Sequence, residues 1–441
     1  MRLKKPLLVK RVWLMEITWV PIVDISEIGS VVDELSDNLR MNNQRYRKRR
    51  YNGLAEGAAG IAIACSYMGR VYPNHAWDHM AHKYLVMAVN SLYRNEGLDI
   101  SLFNGVAGIG IAATYLSKDY TRYNTLISKI NKIIIKNVTD MQKTYLDLVS
   151  TPSSKYDLIS GLAGICTYML YNKDLVKFVK KPLSILVHKI IDNDGLLGYY
   201  TAYPDIEWGK KYNELYEQYE HGLIDVGMAH GISGVLAILS RAYLQGIAVE
   251  EQKEAINKIA EWLVHNCISD KYGCGWPEFL PYDTTLKNFN IDKFIYKPSI
   301  RNIWCYGVAG IASALLLSGK AIKKQTYIDF SVKAIRSSAD RIRPENVPNF
   351  FCHGISGVLE TYLRFYNYTG DRKIKKESIN LLDRLMNAHK SKHLLTYNNT
   401  NNEKNKENVG LLTGAAGIFL PILASATNIP PSWDSIFGLS Y

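Results

Sequence analysis

The chain has 441 residues, and 53 Lys and Arg against 41 Asp and Glu leave a formal net charge of +12. With 47% hydrophobic and 21% charged residues it reads as a folded globular protein, which excludes a disordered or fibrous chain. Six cysteines are too few for a disulfide scaffold, no secretory signal is recognisable at residues 1–14, and the apolar runs stop short of the ~20 residues of a membrane span.

The expected setting is therefore cytoplasmic, reduced and soluble. The densest basic run, Arg45 with Arg47 to Arg50, reads as a solvated linker. No Lys/Arg block is interleaved with aromatic residues, so a nucleic-acid partner is not expected. The positive surplus fits a solvated surface, an acidic peptide partner or an anionic membrane face.

In chain order, amphipathic stretches with apolar residues at helical spacing cover 25–39, 79–92, 123–138, 176–191, 250–267, 324–342 and 374–389. In the fifth, Ala255, Ile256, Ile259, Ala260, Leu263 and Val264 form one apolar stripe. Interleaved with them is a pattern repeated seven times: Gly, two residues, Gly, then an apolar run. The first glycines are Gly57, Gly105, Gly161, Gly231, Gly307, Gly354 and Gly414.

A helix that is apolar all round is buried on all sides, and one with a single stripe covers it from outside. Seven inner and seven outer helices predict an all-α fold, an α/α toroid formed by one domain over 1–441. An open solenoid is the alternative, but it needs polar capping helices, and the first and last apolar runs are as apolar as the middle ones. Two long intervals leave 192–229 and 269–304 as loop-rich insertions, and the Asn/Lys/Glu-rich 398–408 reads as a mobile surface loop.

One polar residue precedes each first glycine: Glu56, Asn104, Ser160, His230, Tyr306, His353 and Thr413. If all inner helices start at one end of the ring, these side chains meet at one mouth. Asn104, Ser160 and Thr413 read equally well as helix caps. In the fifth and sixth repeats the context becomes Trp304-Cys305-Tyr306-Gly307 and Cys352-His353-Gly354. Two cysteines and a histidine in neighbouring sectors suit a zinc ion with an open fourth position. The competing reading makes the cysteines small buried hydrophobes, while Cys65, Cys166, Cys267 and Cys274, in apolar runs or an insertion, read as core or incidental. The other eight histidines, His75, His82 and His389 among them, read as surface or satisfied core residues.

With Ala229-His230-Gly231-Ile-Ser-Gly234 and Tyr156-Asp157-Leu-Ile-Ser-Gly161, these motifs resemble the lanthionine synthetase C-like family, in particular the class I lantibiotic cyclases of subtilin type. The likeness covers all seven repeats. It implies an α/α toroid holding one catalytic zinc, which closes thioether rings by adding peptide cysteine thiols to dehydroalanine or dehydrobutyrine. It also implies a dehydrated lantibiotic precursor peptide as substrate, and a complex with a dehydratase and an ABC-type exporter at the inner face of the membrane.

Position by position, Cys305, Cys352 and His353 match the family's zinc ligands, and His230, Asp157, Arg301 and Tyr306 its catalytic positions. His230 is then a proton donor or a base, Asp157 orients a partner, and Arg301 or Tyr306 stabilises enolate charge. Competing functions are a prenyltransferase-like zinc-dependent thiol alkylation and a non-catalytic peptide-binding scaffold.

Overall fold

The fold is described from a computed structural model over residues 18–41, 53–73, 76–92, 98–145, 148–191, 196–205, 217–295, 298–342, 347–395 and 408–440. The basic run at 45–50 and most of the 398–408 segment lie outside the described residues.

The glycine pattern has a single steric cause. In every repeat a Cβ on the second glycine would collide with the carbonyl oxygen three residues before the first glycine. At Gly60 that is Leu54, at Gly310 Trp304 and at Gly357 Phe351. The same imaginary Cβ meets a side chain of the preceding repeat: Leu411 beside Gly60, Leu54 beside Gly108, Met228 beside Gly310, Trp304 beside Gly357 and Phe351 beside Gly417. Only hydrogen fits where each turn presses against its neighbour. The last repeat, through Leu411, touches the first.

Each turn opens an inner helix: α2 (Ala58–Val71), α4 (Val106–Tyr115), α6 (Leu162–Tyr171), α8 (Ile232–Leu244), α10 (Val308–Ile322), α12 (Ile355–Thr369) and α14 (Ala415–Ser425). The outer helices are α1 (Gly29–Met41), α3 (Trp77–Leu92), α5 (Asn124–Tyr145), α7 (Lys180–Ile191), α9 (Gln252–His265), α11 (Gln325–Ser337) and α13 (Arg372–Lys390). Among the described residues this is the expected seven and seven. Each inner helix packs against the next and α14 against α2, so the ring is closed. Each outer helix covers the inner helix before it, and α1 covers α14.

A continuous circle of backbone hydrogen bonds confirms closure at the turns. The amide of Ala55 donates to Phe103 (2.9 Å), Phe103 to Ile159 (3.1 Å), Leu158 to Ala229 (3.1 Å) and Met228 to Cys305 (2.9 Å). Cys305 then donates to Cys352 (3.1 Å), Cys352 to Leu412 (2.9 Å) and Leu412 back to Ala55 (2.9 Å). All seven inner helices therefore start at one end of the toroid.

The insertions hold the described strands. β1 (Leu223–Asp225) pairs antiparallel with β4 (Phe279–Asp283), which pairs with β5 (Asn288–Phe289), while β2 (Ile268–Asp270) and β3 (Gly273–Gly275) form a hairpin. That hairpin corrects one expectation. Cys267 and Cys274 are not incidental thiols but a disulfide, because the two strands bring their Cα atoms to 5.9 Å. No helix among the described residues is long and apolar enough to cross a membrane.

Candidate active site and metal centre

Cys305 and Cys352 occupy the same place in two adjacent repeats, two residues before the first glycine. The Cys305 amide donates to the Cys352 carbonyl, so the two turns are joined directly. The local fold of the first turn depends on Gly307, whose φ of +90° and lack of a Cβ let the chain fold back on the Arg301 carbonyl. Val308 N–H then donates to that carbonyl at 3.0 Å, closing a loop that carries Arg301, Cys305 and Tyr306 together.

The Cys305 thiol faces that of Cys352, which in turn faces His353. The neighbouring Cys352 and burial hold the Cys305 thiol protonated, well above the usual thiol range. Cys352 is drawn below the usual thiol range because it accepts from Cys305 and faces His353 and His230. Two soft sulfur donors and an imidazole are the donor types that zinc selects. Among the described residues no three His, Cys, Asp or Glu side chains are grouped so as to hold a metal ion, so it is the donor chemistry of these three residues that fits zinc.

Beside this trio stands an ion pair. His230 Nδ1 lies 2.6 Å from Asp157 Oδ2, with Asp157 fully buried and the His230 side chain 42% exposed. The other Asp157 oxygen accepts from the Ser160 and Gly161 amides, both at 2.6 Å. Asp157 thus both caps its turn and orients a partner, and the partner is His230. Burial works against the His230 charge, but the Asp157 bond and the charges of Asp157 and Asp225 outweigh it and push the imidazole up to about 9.

Two carboxylates that sequence reasoning missed come from the insertions. Asp225 on β1 accepts from Tyr306 O–H at 3.1 Å, and burial pushes its carboxyl up to about 7 against opposing pulls from His230, the Gly227 amide and Tyr306. Glu278 precedes β4 and forms an ion pair with Arg301, which remains 46% exposed. Phe279 adds an edge-to-face contact on Tyr306, with centroids 5.6 Å apart. A register of a three-residue strand such as β1 has no sequence signature, so neither carboxylate could be placed from periodicity.

The remaining mouth residues behave differently from the capping expectation. The N-caps of the inner helices are the glycines themselves, without side-chain caps. Thr413 donates its hydroxyl to Glu56 at 2.6 Å, and burial raises the Glu56 carboxyl. Among the other histidines, His82 meets the Tyr123 hydroxyl and His389 lies beside the Glu34 carboxylate, while His75 lies outside the described residues.

The lanthionine synthetase C-like protein profile matches residues 50–437. The chain belongs to that family. It is 27% identical over 395 residues to the Nisin biosynthesis protein NisC of Lactococcus lactis subsp. lactis, covering 86% of this chain and 88% of NisC. The Lacticin 481/lactococcin biosynthesis protein LcnDR2 of the same organism is 23% identical over 409 residues, 82% of this chain but 40% of that longer protein. Among solved structures, a nisin cyclase superposes with a TM-score of 0.78 at 22% identity, covering 93% of this chain and 98% of the other. This lanthionine synthetase C-like chain therefore shares the cyclase toroid over nearly its whole length.

Proposed function

We propose that this chain, as one domain over 1–441, is a zinc-dependent lanthionine cyclase acting on a dehydrated, subtilin-like lantibiotic precursor. The observation that carries the reading is the contact of Cys305, Cys352 and His353 beside the His230–Asp157 pair, at one end of a family toroid. The names of NisC and the nisin cyclase support it. Assembly with a dehydratase and an ABC-type exporter, peripherally at the inner membrane face, belongs to the same proposal.

Cys305, Cys352 and His353 are the residues that would hold zinc. When bound, zinc supplies deprotonation of the incoming peptide thiol, which near its ordinary pKa of ~8.5 is mostly protonated at neutral pH. Two cysteine ligands add negative charge, which keeps the incoming sulfur nucleophilic. The sulfur bonds to the β-carbon of the dehydro residue, and the alkene pair moves onto the carbonyl oxygen as an enolate.

Arg301 is the donor for that oxygen, being half exposed at the mouth. Tyr306 serves it less well, since its proton already goes to Asp225. The α-carbon then takes its proton from His230, and the proton that the thiol gave up to solvent is returned to the imidazole. With Asp157 holding the ring and its charge, the imidazole enters the cycle protonated, as a donor rather than a base.

The prenyltransferase reading needs a basic pocket for a diphosphate, whereas here the cations at the mouth are already paired, Arg301 with Glu278 and His230 with Asp157. The deciding experiment incubates the purified chain with a dehydrated, cysteine-containing precursor and counts alkylatable thiols by mass spectrometry. Loss of thiols that a chelator abolishes is the expected result; loss unaffected by the chelator would remove zinc from the reading.

A further inference from the structure

We infer that the segment 429–440 is a plug, entering the ring from the end opposite the mouth, whose Phe437 supports both cysteine-bearing turns from beneath and so positions their thiols. The inference rests on the zinc reading above and names positioning residues for that same site.

The inner helices begin at the mouth and run about 20 Å down the ring at 1.5 Å per residue. Residues near their far ends grip the segment. Tyr67 O–H on α2 donates to the Ile429 carbonyl at 2.7 Å, and Arg241 on α8 donates to the Ser435 carbonyl at 3.1 Å. Arg364 on α12 pairs with Asp434 and reaches the Pro431 carbonyl at 3.1 Å, and Ser440 donates to Asp434 at 2.6 Å. Asp434 is fully buried and the Arg364 side chain 11% exposed, and Arg364 lies on the helix that starts just after His353. The far side of the plug is thus fixed by groups from three sectors.

Its near side reaches the catalytic turns. The segment forms a short 3-10 helix, Ser432–Phe437, ended by Gly438 with φ +69°. Phe437 is fully buried and lies against Phe351 with centroids 3.9 Å apart, and against Trp304 edge-on at 5.1 Å. Trp304 N–H also donates to the Phe437 carbonyl at 2.9 Å. Trp304 immediately precedes Cys305 and Phe351 immediately precedes Cys352. One ring therefore packs against both residues that precede the thiol ligands, and these two also lie against each other with centroids 5.7 Å apart.

Close-packed interiors transmit such a constraint because they leave no room for the turns to drift. Removing the Phe437 ring takes a shared support from the Cys305 and Cys352 turns, whereas a core truncation elsewhere costs stability alone. Outer supports of metal ligands typically govern affinity by about 10–100-fold.

The test uses the full chain and Co2+ as the probe metal, following thiolate-to-cobalt absorption and cobalt affinity at a temperature where every variant is folded by circular dichroism. Phe437→Ala is expected to weaken cobalt binding about ten-fold or more and to alter the absorption band. Phe437→Leu, which refills most of the space, restores binding toward wild type. Ile134→Ala, a buried position on α5 in the opposite sector, lowers stability without moving cobalt affinity. Unchanged affinity in Phe437→Ala, or an equal loss in Ile134→Ala, overturns the inference. A wild-type chain that takes up neither cobalt nor zinc is a different failure: it overturns the zinc reading first.

Discussion

The second and third sectors of the ring and the fifth and sixth share their turn-to-turn hydrogen bonds and glycine packing but carry different chemistry. In both regions a turn donates its amide to the next turn, and a second glycine lies under a neighbour's side chain. Where the first pair places Phe103 and Ile159, the second places Cys305 and Cys352; where the first places Asn104 and Ser160, the second places Tyr306 and His353. The scaffold is repeated, and the reactive groups occupy two positions per repeat that the scaffold leaves free to vary. The insertions deepen the contrast, because β1 and β4 deliver Asp225 and Glu278 to the residues of the fifth sector.

This contrast is broken or sharpened by substitution. Cys305→Ala or Cys352→Ala should strip the metal entirely while Ile159→Ala, in the matching place, leaves it; one equivalent of zinc by elemental analysis in either cysteine variant contradicts the assignment. His230→Ala should keep zinc yet slow ring closure by about 10²–10⁴-fold, read by mass spectrometry after thiol alkylation. Wild-type-like cyclisation would remove its role as donor.

Smaller and shared by both regions is the effect of a methyl on the second glycine. Gly108→Ala and Gly310→Ala each place a Cβ on a backbone carbonyl and on a neighbour's side chain, Leu54 Cγ at 2.9 Å and Met228 Cβ at 2.6 Å. Each should lose roughly 1–3 kcal/mol in chemical unfolding; a loss confined to Gly310 would mean that the two regions are not built alike.

The pH dependence is subtler. His230 is raised to about 9, so its donor form, and the stability it contributes, are fully present below ~6.5 and lost as pH rises through about 9. A nearby zinc ion would pull that limb down. Asp157→Asn should move the alkaline limb of cyclisation lower still; an unmoved limb assigns it to another group. Last, Asn104→Ala, exposed at the same register, should change stability by less than about 0.5 kcal/mol and leave zinc in place.

The ring itself was legible because two periodicities coincide: apolar stripes at helical spacing, and glycines at a fixed offset from the start of each apolar run. Cys305, Cys352, His353 and His230 were legible because they sit at a constant offset from those glycines, so repeat register converts directly into spatial neighbourhood. Asp157 as the partner of His230 was not, since Asp157 lies upstream of the offset at which the other site residues sit before their glycines. Cys267 and Cys274 looked like unrelated thiols until a hairpin paired them.

The local pattern alone therefore determined the number of sectors, the closed ring and the end at which reactive side chains gather, because each is a consequence of sterics repeated along the chain. Tertiary structure alone decided which carboxylate faces which donor. It also decided that Phe437, 85 residues beyond Cys352 in the sequence, lies beneath both cysteine turns. Such contacts depend on how a non-repeating segment fills the axis of the ring, and no periodicity encodes the shape of the space that remains once fourteen helices have packed.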